Sequence, residues 1–420
     1  MNKKIGQGDL VNKRKGKIGL MTASLLMLCY LAPTSILASL SEAFPDTSLQ
    51  TIQMLTAVPN VFSVATSILI SRVTPYVYKR HLILLAGISY PVAGLLIFFI
   101  HPNIYVMIAF MCLMGIGSGV HVTCVPSLIC DCYDEKESGT LMGLQAGFIS
   151  AGAMFFSWLG GQLAKDHWEY CFLGYSFIIV FLLIEWCCLP KGKLDQKAAA
   201  QPGRAAGEAL KTESGDRPNP ENTEKAGLIP RAILYYTIIA FIYGVFSYVF
   251  HSNISLLVTL REFGSTVASS YVSILYNLAG LIMGCIAGIL IRKVKEFSFA
   301  LSFLIAAAGL FTCFFAGQYA VVCLGGILCG AGFNIMAPAG NFFAAQAAAG
   351  KSNQSFCIAF FNCGCSLGQF ISPVVFGTLL PMVATESRFL VGAAALLVLT
   401  GAASCGAGVM RKNRFAGENH

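Results

Sequence analysis

Residues 104–129 read IYVMIAFMCLMGIGSGVHVTCVPSLI, a run of apolar and small residues that contains no Asp, Glu, Lys or Arg. About 20 helical residues, each rising 1.5 Å, cross the hydrocarbon core of a bilayer, which is about 30 Å thick. A strand of a membrane barrel would alternate polar and apolar side chains, and this run does not. The run therefore predicts a transmembrane helix.

The chain repeats this pattern along its whole length. Of its 420 residues, 56% are hydrophobic and 11% are charged, whereas roughly a quarter of the residues in a globular domain are charged. The sequence therefore predicts an all-α integral membrane protein with twelve transmembrane helices. The predicted spans are 18–40, 49–70, 82–100, 104–129, 139–163, 170–189, 232–258, 267–291, 297–315, 320–347, 356–380 and 389–410. The first span follows basic residues but is longer than the ~7 to 15 apolar residues of a signal peptide, so we expect it to stay uncleaved.

A polar segment divides the spans into two groups of six. Residues 190–230 are rich in Ala, Gly, Pro, Glu and Lys and lack apolar periodicity, which predicts a disordered linker. The predicted organisation is an arm at 1–17, a six-helix bundle at 18–189, the linker at 190–230, a second six-helix bundle at 231–410 and a tail at 411–420.

Weak internal repeats support this division. An offset of 216 residues aligns Gly152 with Gly368 and Gly161 with Gly377, and an offset of 220 aligns Arg72 with Arg292. These pairs fall where two parallel, pseudo-symmetric six-helix repeats would place them.

The basic residues predict the orientation in the membrane. Of the 28 Lys and Arg residues, 25 fall on one side of the predicted spans, and Lys165, Arg261 and Arg388 fall on the other. Lys and Arg remain on the cytoplasmic side during insertion. We therefore expect a multi-pass protein of the cell membrane with both termini and the linker in the cytoplasm. The net charge of +8 is scattered over loops, which is not the pattern of a nucleic-acid-binding face.

Short motifs accompany this plan of six spans, a linker and six spans. Residues 40–45 read LSEAFP, residues 115–119 read GIGSG, and Gly364-x-x-x-Gly368-Gln369 precedes Pro373 and Gly377. With these motifs the chain resembles the major facilitator superfamily of secondary transporters over nearly its whole length. The resemblance implies two six-helix bundles around a cavity lined mainly by spans one, four, seven and ten. It also implies a transporter of small solutes that works as a monomer, and no cofactor.

The chain departs from the family pattern at several places, of which two bear on mechanism. The loop 71–80 reads SRVTPYVYKR, which keeps the basic residues Arg72, Lys79 and Arg80 of the family's gating loop but lacks its acidic residue. In span five, Gly152 is followed by Ala153 where the family's proton antiporters have proline. The second departure argues against an exchanger of drugs and protons.

Polar and aromatic residues inside the spans are the candidates for the solute cavity. On span seven, Tyr236, Tyr243, Ser247 and His251 share one helical face. Such a face suits a cavity wall, and hydrogen bonding between helices is the alternative interpretation. The predicted cavity residues are Tyr30, His121, Gln145, Tyr236, Tyr243, Ser247, Tyr276, Asn277, Asn334 and Asn362. Groups of this kind favour an amphipathic or weakly polar organic solute.

Charged groups are almost absent from the predicted spans. Glu185 is the one charged residue inside a span, and its position near Pro190 predicts a carboxylate that reaches the cytoplasmic surface. Without a buried Lys or Arg, the cavity is poorly suited to a dianion. His121 is the candidate for proton coupling because a histidine side chain titrates near physiological pH. A neutral histidine hydrogen-bonded to a neighbouring helix is the alternative.

Prolines and glycines suggest moving and packing elements. Pro33 and Pro59 interrupt predicted spans and mark either fixed kinks or hinges of a gate. Glycines spaced four residues apart allow close helix packing, and we expect two such ridges to face each other. These are Gly143 and Gly147 of span five, with Ala151, and Gly280, Gly284 and Gly288 of span eight.

The sequence thus predicts a secondary transporter of a small organic solute that works by alternating access. Proton-coupled transport, facilitated uniport and solute exchange all remain open at this point. No GxxxxGK[ST] or HExxH motif occurs, so we expect neither a nucleotide site nor an enzyme. The pairs Cys130/Cys132 and Cys363/Cys365 lack the further ligands of a zinc site, so we expect no metal. A membrane receptor, or an enzyme without a recognisable motif, is the alternative from another class.

Overall fold

The computed structural model describes residues 7–74, 76–133, 135–190, 231–348 and 354–417. These residues form helices and turns, with no strand in the described part of the chain. The predicted all-α fold is confirmed. The predictions for the arm at 1–6 and for the linker at 191–230 lie outside the described residues.

The first half of the chain contains eight α-helical segments joined by short turns. They are α1 (Gln7–Leu25), α2 (Leu37–Ala43), α3 (Leu49–Val73), α4 (Lys79–Phe99), α5 (Ile104–Cys132), α6 (Glu135–Leu163), α7 (Tyr170–Leu173) and α8 (Ile178–Cys188). Two 3₁₀ segments, Cys29–Ile36 and Gly174–Phe177, join α1 to α2 and α7 to α8.

The second half contains seven α-helical segments. They are α9 (Arg231–Ser247), α10 (Val249–Leu260), α11 (Thr266–Val294), α12 (Ser298–Phe314), α13 (Tyr319–Ala348), α14 (Gln354–Val374) and α15 (Thr385–Gly417). A π-helical segment, Val375–Leu379, follows α14.

Within the described residues, nine helical stretches are long and apolar enough to cross a membrane. The helix Ser298–Phe314 is apolar but shorter. Helices α6 and α14 also occupy the places of predicted spans five and eleven. The chain is therefore a multi-pass membrane protein, and the count of twelve spans stays a prediction.

Each half has its own apolar core. In the first half, large side chains such as Tyr90, Phe172 and Tyr175 are fully buried, and in the second half Phe303 and Phe389 are. Burial of such side chains from the lipid and from water fixes the helix packing within each half.

The first and seventh spans are each interrupted in the middle. Helix α1 ends at Leu25, residues 26–28 form a turn, and Pro33 lies within the 3₁₀ segment that follows. Tyr248 separates α9 from α10. Interruptions of this kind at corresponding places in two repeats are typical of transporter binding sites. Pro59, by contrast, lies inside α3, which continues through it.

The glycines of residues 115–119 place α5 between two neighbouring helices. A Cβ atom at Gly115 would overlap Pro59, and one at Gly119 would overlap Ser63, both on α3. A Cβ atom at Gly117 would overlap Ser89 on α4. The alternation of sides explains why glycine recurs at every second position.

The two ends of the helix bundle can be told apart. The Ser255 hydroxyl donates to the Ser35 carbonyl oxygen, so the end of α10 lies beside the 3₁₀ segment before α2. The Tyr235 hydroxyl donates to Ala402, so α15 returns toward the start of α9. We call the end that holds the start of α1, the start of α9 and the end of α15 the terminal face. The opposite end, which holds the ends of α2 and α10, is the far face.

Candidate functional site

The two halves are hydrogen-bonded to each other near the far face. Ser255 of α10 donates to the Ser35 carbonyl oxygen at 2.7 Å and accepts from the Ala38 amide at 3.2 Å. Both residues are buried. The interrupted first and seventh spans are thus joined directly beyond their interruptions.

A second group of bonds lies beside the first. Gln53 of α3 donates from Nε2 to the Ser252 carbonyl oxygen at 2.9 Å and to the Asn253 side-chain oxygen at 2.8 Å. The Arg388 guanidinium donates to Gln53 at 3.4 Å and to Asn253 at 3.3 Å. We call Ser35, Gln53, Asn253, Ser255 and Arg388 the far-face seam.

Arg388 corrects an expectation from the sequence. It lies in the first turn of α15, inside the apolar stretch Thr385–Gly406, and is only 6% exposed. The predicted last span began one residue after it, so the expectation that the membrane-embedded region holds no buried cation was wrong. Within the described part of the chain, the hydrogen-bond partners of Arg388 are neutral oxygens, including the Val383 carbonyl, and none is a carboxylate.

Beside the far-face seam, the two halves are in contact through pairs of residues that are related by the internal repeat. A Cβ atom at Gly161 of α6 would overlap Ser270 and approach the Thr266 carbonyl oxygen on α11. The equivalent Gly377 packs in the same way on Gln50 of α3. Thr266 lies 216 residues after Gln50, so the two contacts between the halves are related by the same offset.

At the terminal face, ion pairs lie within the first half. Glu137 at the start of α6 pairs with Lys17 at 3.2 Å and Lys13 at 3.5 Å, both on α1. The hydrogen bond from Lys17 lowers the pKa of the Glu137 carboxyl. These pairs hold α1 against α6 without joining the two halves. Among the described residues, hydrogen bonds between the halves are concentrated at the far face.

The loop predicted to gate the terminal face does have an acidic partner. Lys79 pairs with Asp131 at the end of α5 at 2.6 Å, and both side chains are largely buried. Arg80 donates to the Trp186 carbonyl oxygen at the end of α8. The acid missing from the loop sequence is thus supplied by another helix of the same half. The side chain of Arg72 lies outside the described residues.

Polar and aromatic side chains meet between the two interrupted spans. The Tyr30 hydroxyl donates to the Asn60 side-chain oxygen of α3 at 2.9 Å, and both residues are buried. Tyr248, at the interruption of span seven, lies near Thr56 and Asn60 from the other half. The seventh span therefore faces the first and second spans here.

Two further aromatic residues extend this group in the second half. The His251 ring lies 5.7 Å from that of Tyr248 and 4.6 Å from that of Tyr276, measured between ring centroids. His251 is partly buried, whereas Tyr276 is buried. We call Tyr30, Asn60, Tyr248, His251 and Tyr276 the central cluster. It contains two of the predicted cavity residues, Tyr30 and Tyr276.

The other predicted residues on span seven point elsewhere. Tyr236 stacks on Phe299, and Tyr243 stacks on Phe303, so both lie in the core of the second half. Ser247, next to the interruption, is partly buried. Tyr236 and Tyr243 pack inside the second half, and only His251, beyond the turn at Tyr248, lies in the central cluster.

Several amide side chains that were predicted to line the cavity instead contact residues of their own half of the chain. Asn277 and Asn334 donate to the carbonyl oxygens of Ser273 and Gly330, four residues earlier on their own helices. Gln145 lies against the Met27 sulfur at 3.8 Å. Asn362 is exposed on α14.

His121 lies inside the first half. It is fully buried on α5, its Nδ1 atom is 2.9 Å from the Gly117 carbonyl oxygen, and its ring is 5.5 Å from that of Tyr90 on α4. A carbonyl oxygen only accepts, so Nδ1 carries the proton. In the neutral ring Nε2 is then a bare acceptor, and it is buried without a partner.

Glu185 corrects a second expectation. Its side chain does not reach the surface but is 0% exposed within the first half, and among the described residues neither carboxyl oxygen has a hydrogen-bond partner. The prediction of a carboxylate at the cytoplasmic surface was wrong, because the side chain turns inward toward Gly87 of α4.

The two predicted glycine ridges do not face each other at the described positions. Helices α6 and α11 do pack together, and Gly147 lies against Leu281. Gly280, however, lies against Asn334 of α13 rather than against α6. The side chains at positions 143, 284 and 288 lie outside the described residues.

An open cleft of about 600 Å³ lies above the seam at the far face. Both halves line it, with Glu42, Lys165 and Asp166 from one and Thr259 and Ser265 from the other. In the described part of the chain, no three His, Cys, Asp or Glu residues come together as a metal site would require.

Sequence reasoning missed seven residues of the seam and cluster, among them Ser35 and Ser255. Asn60 follows Pro59, which the sequence marks as a kink or a hinge, and Tyr248 directly follows Ser247 of the predicted face. Gln53, Asn253 and Arg388 gave only a weak signal, since each is an isolated polar residue near the end of a predicted span.

Comparison with known proteins agrees with this architecture. The family model described as Major Facilitator Superfamily matches residues 18–297 and 236–414. No protein of curated function matches the sequence.

Several solved structures share the fold. A bacterial homologue of the human lysosomal transporter Spinster, in an inward-facing and unoccupied conformation, aligns with a TM-score of 0.68 at 13% identity over 94% of this chain and 95% of that one. The nucleoside transporter NupG aligns with a TM-score of 0.73 at 11% identity over 93% and 99%. A D-xylose-proton symporter aligns with a TM-score of 0.69 at 14% identity over 91% and 95%. At these identities the similarity establishes the fold and not the solute.

Proposed function

Because this chain belongs to the Major Facilitator Superfamily, and is thus a membrane transporter and not an enzyme, we propose that it moves a small, weakly polar organic solute by alternating access. The two six-helix halves rock about the solute and expose it first to one side of the membrane and then to the other. The proposed location is the cell membrane with both termini in the cytoplasm, and the proposed working unit is the monomer.

The far-face seam is the observation that carries this proposal. It joins the halves through buried hydrogen bonds at one end, whereas the ion pairs described at the terminal face remain within one half. A buried polar network has two discrete states, bonded or broken, because an unpaired buried group is costly. Such a network suits a gate that is closed at the far face.

The chemistry of the central cluster supports a weakly polar organic solute. Phenol, imidazole and amide groups from both halves meet between the interrupted spans. Aromatic faces bind apolar parts of a solute, and a few placed hydrogen-bonding groups orient it. Arg388 adds one buried positive charge at the edge of this region, so a solute with a single negative charge belongs to the proposed class.

Solved structures of the same fold are consistent with this class. Their titles name a nucleoside transporter, a D-xylose-proton symporter and a peptide transporter in complex with alafosfalin. All three carry organic solutes.

Uptake into proteoliposomes tests the proposal. Purified full-length protein would be reconstituted and supplied with labelled nucleosides, pentoses, dipeptides and monocarboxylates, with and without a proton gradient. We expect saturable uptake of one class without ATP, and exchange of that solute across the membrane. Vesicles with Gly152→Leu protein are the inactive control, because this substitution blocks the packing of α6 on α1. Uptake equal to protein-free vesicles for every class would contradict the proposal.

A further inference from the structure

A buried carboxyl group lies inside the first half, away from the far-face seam and the central cluster. We propose that Glu185 is a proton-binding site whose access to water is controlled by the first segment of span one, α1. The proton-binding site itself does not depend on the proposed transport function. Its consequence, that the transport cycle carries a proton, does rest on that function.

The surroundings of Glu185 determine its protonation state. Oε2 lies 3.8 Å from the position of a Cβ atom at Gly87, and neither carboxyl oxygen has a hydrogen-bond partner in the part of the chain that the structure describes. An ionised carboxylate that is buried without a partner is very costly, whereas the neutral carboxylic acid is much less so. Glu185 therefore holds a proton in this conformation.

The groups packed around Glu185 do not supply a positive charge at its carboxyl. From α4, Tyr90 lies one helical turn beyond Gly87, and Arg80 is bonded to the Trp186 carbonyl oxygen. From the 3₁₀ segment Cys29–Ile36 and from Gly174–Phe177, the titratable groups are Cys29, Tyr30 and Tyr175, and the Tyr175 hydroxyl is bonded to the Cys29 carbonyl oxygen. On α1, Lys13 and Lys17 are paired with Glu137 instead.

A second proton-binding group, His121, lies beside Tyr90. The Tyr90 hydroxyl is 3.5 Å from Nδ1 of His121, whose Nε2 atom is buried without a partner. Glu185 and His121 are thus two proton-binding groups buried within the first half. Of the two, Glu185 carries the proton in this state and His121 is neutral.

Helix α1 covers Glu185 on the side of the terminal face. A Cβ atom at Gly19 would overlap the backbone of Cys188 and Leu189, so α1 touches the end of α8 directly. Leu20, Ile83 and Leu189 form part of one buried apolar cluster there. This cluster separates the carboxyl group from water at the terminal face.

The interruption of span one allows α1 to move as a separate piece. The turn at 26–28 and the 3₁₀ segment with Pro33 separate α1 from α2, which lies beside the far-face seam. When α1 moves away from α8, water reaches the carboxyl group. The O–H bond then breaks, the proton passes to water, and a solvated carboxylate remains.

Infrared spectroscopy of the full-length protein in lipid tests the site without a transported solute. At pH 7 we expect the carbonyl stretch of a neutral carboxylic acid in the wild type and its loss in Glu185→Gln. The matched control is Glu137→Gln, whose side chain is exposed and ion-paired, and which should keep the band. Because Gln resembles the neutral acid, Glu185→Gln should melt at the wild-type temperature. A wild type without the band, or a Glu185→Gln protein that keeps it, would overturn the proposal.

A second pair of variants tests whether α1 separates Glu185 from water. Gly19→Leu, or Leu20→Ser if the former does not fold, should let water reach Glu185 and abolish the band at pH 7. Gly401→Leu is the control, because nothing lies within 4 Å of a Cβ atom there. Retention of the full band in both cover variants would overturn the role of α1. The result does not depend on whether any solute is taken up, so it is separate from the test of the transport function.

Discussion

The carbonyl oxygen of Leu25 lies where a Cβ atom of Gly152 would be placed, so α6 touches the backbone of α1 at the turn that interrupts span one. Gly368 of α14 makes the same contact with Phe241 of α9, 216 residues later in each case. Contacts this close are possible only for glycine, and they press the fifth and eleventh spans against the first and seventh.

Alanine at either glycine should destabilise the protein. For Gly152→Ala and Gly368→Ala we expect a loss of about 1–3 kcal/mol each, because the added methyl group forces two backbones apart. Thermal unfolding of the purified protein in detergent measures the loss. The control is Gly401→Ala, which has open space around it and should be neutral or slightly stabilising. An equal loss in the control would show that close packing is not the cause.

The far-face seam should open when its cation is removed. In Arg388→Gln, the bonds that join Gln53 and Asn253 to α15 are weakened, so we expect the conformation open at the far face to gain population. A cysteine at Ser39, which lines the far-face cleft, should then react faster with an impermeant reagent than in the wild type. Ser404→Ala, which removes a bond within one helix, should leave the rate unchanged. Equal rates in all three proteins would exclude Arg388 from the gate.

The sequence predicted the helical fold and the plan of two halves more completely than the site. Continuous apolar runs define spans because every span must be apolar over the thickness of the bilayer. The direction in which a side chain points depends on interruptions such as the one at Tyr248, which no apolar pattern reveals. The burial of Glu185 likewise depends on the space left by Gly87 on another helix.

The end of a span is also difficult to predict. The predicted last span begins one residue after Arg388, although this residue lies in the first turn of α15 and is buried. In a sequence, a single charged residue at the end of an apolar run is interpreted as part of a loop. Its partners come from residues 53 and 253, which are far away along the chain.

Asn60 should contribute to solute binding, whereas Asn277 should not. Asn60 bonds Tyr30 in the central cluster, and Asn277 bonds a carbonyl oxygen of its own helix. We expect Asn60→Ala to raise the KM for uptake about tenfold, which corresponds to the loss of one buried hydrogen bond of about 1.4 kcal/mol. Asn277→Ala should keep the wild-type KM. The kinetics of uptake into proteoliposomes measure both KM values. A raised KM for Asn277→Ala with an unchanged KM for Asn60→Ala would show that the solute does not bind at the central cluster.

The orientation of the protein can be tested in intact cells. The distribution of Lys and Arg over the loops leads us to expect the linker on the cytoplasmic side. A cysteine introduced at Gly215, in a protein whose other accessible cysteines are replaced, should react with an impermeant reagent only after the cells are permeabilised. Reaction in intact cells would show that the linker lies outside the cell, opposite to the predicted orientation.

Alternating access is the central claim, and distances across both faces test it most directly. Spin labels would be placed on the exposed positions Glu42 and Glu262 at the far face, and on Val73 and Lys293 at the terminal face. Double electron–electron resonance would then measure each pair with and without the transported solute. We predict that a lengthening of the far-face distance accompanies a shortening of the terminal-face distance. Two distances that stay fixed, or that change in the same direction while the solute is transported, would contradict the account.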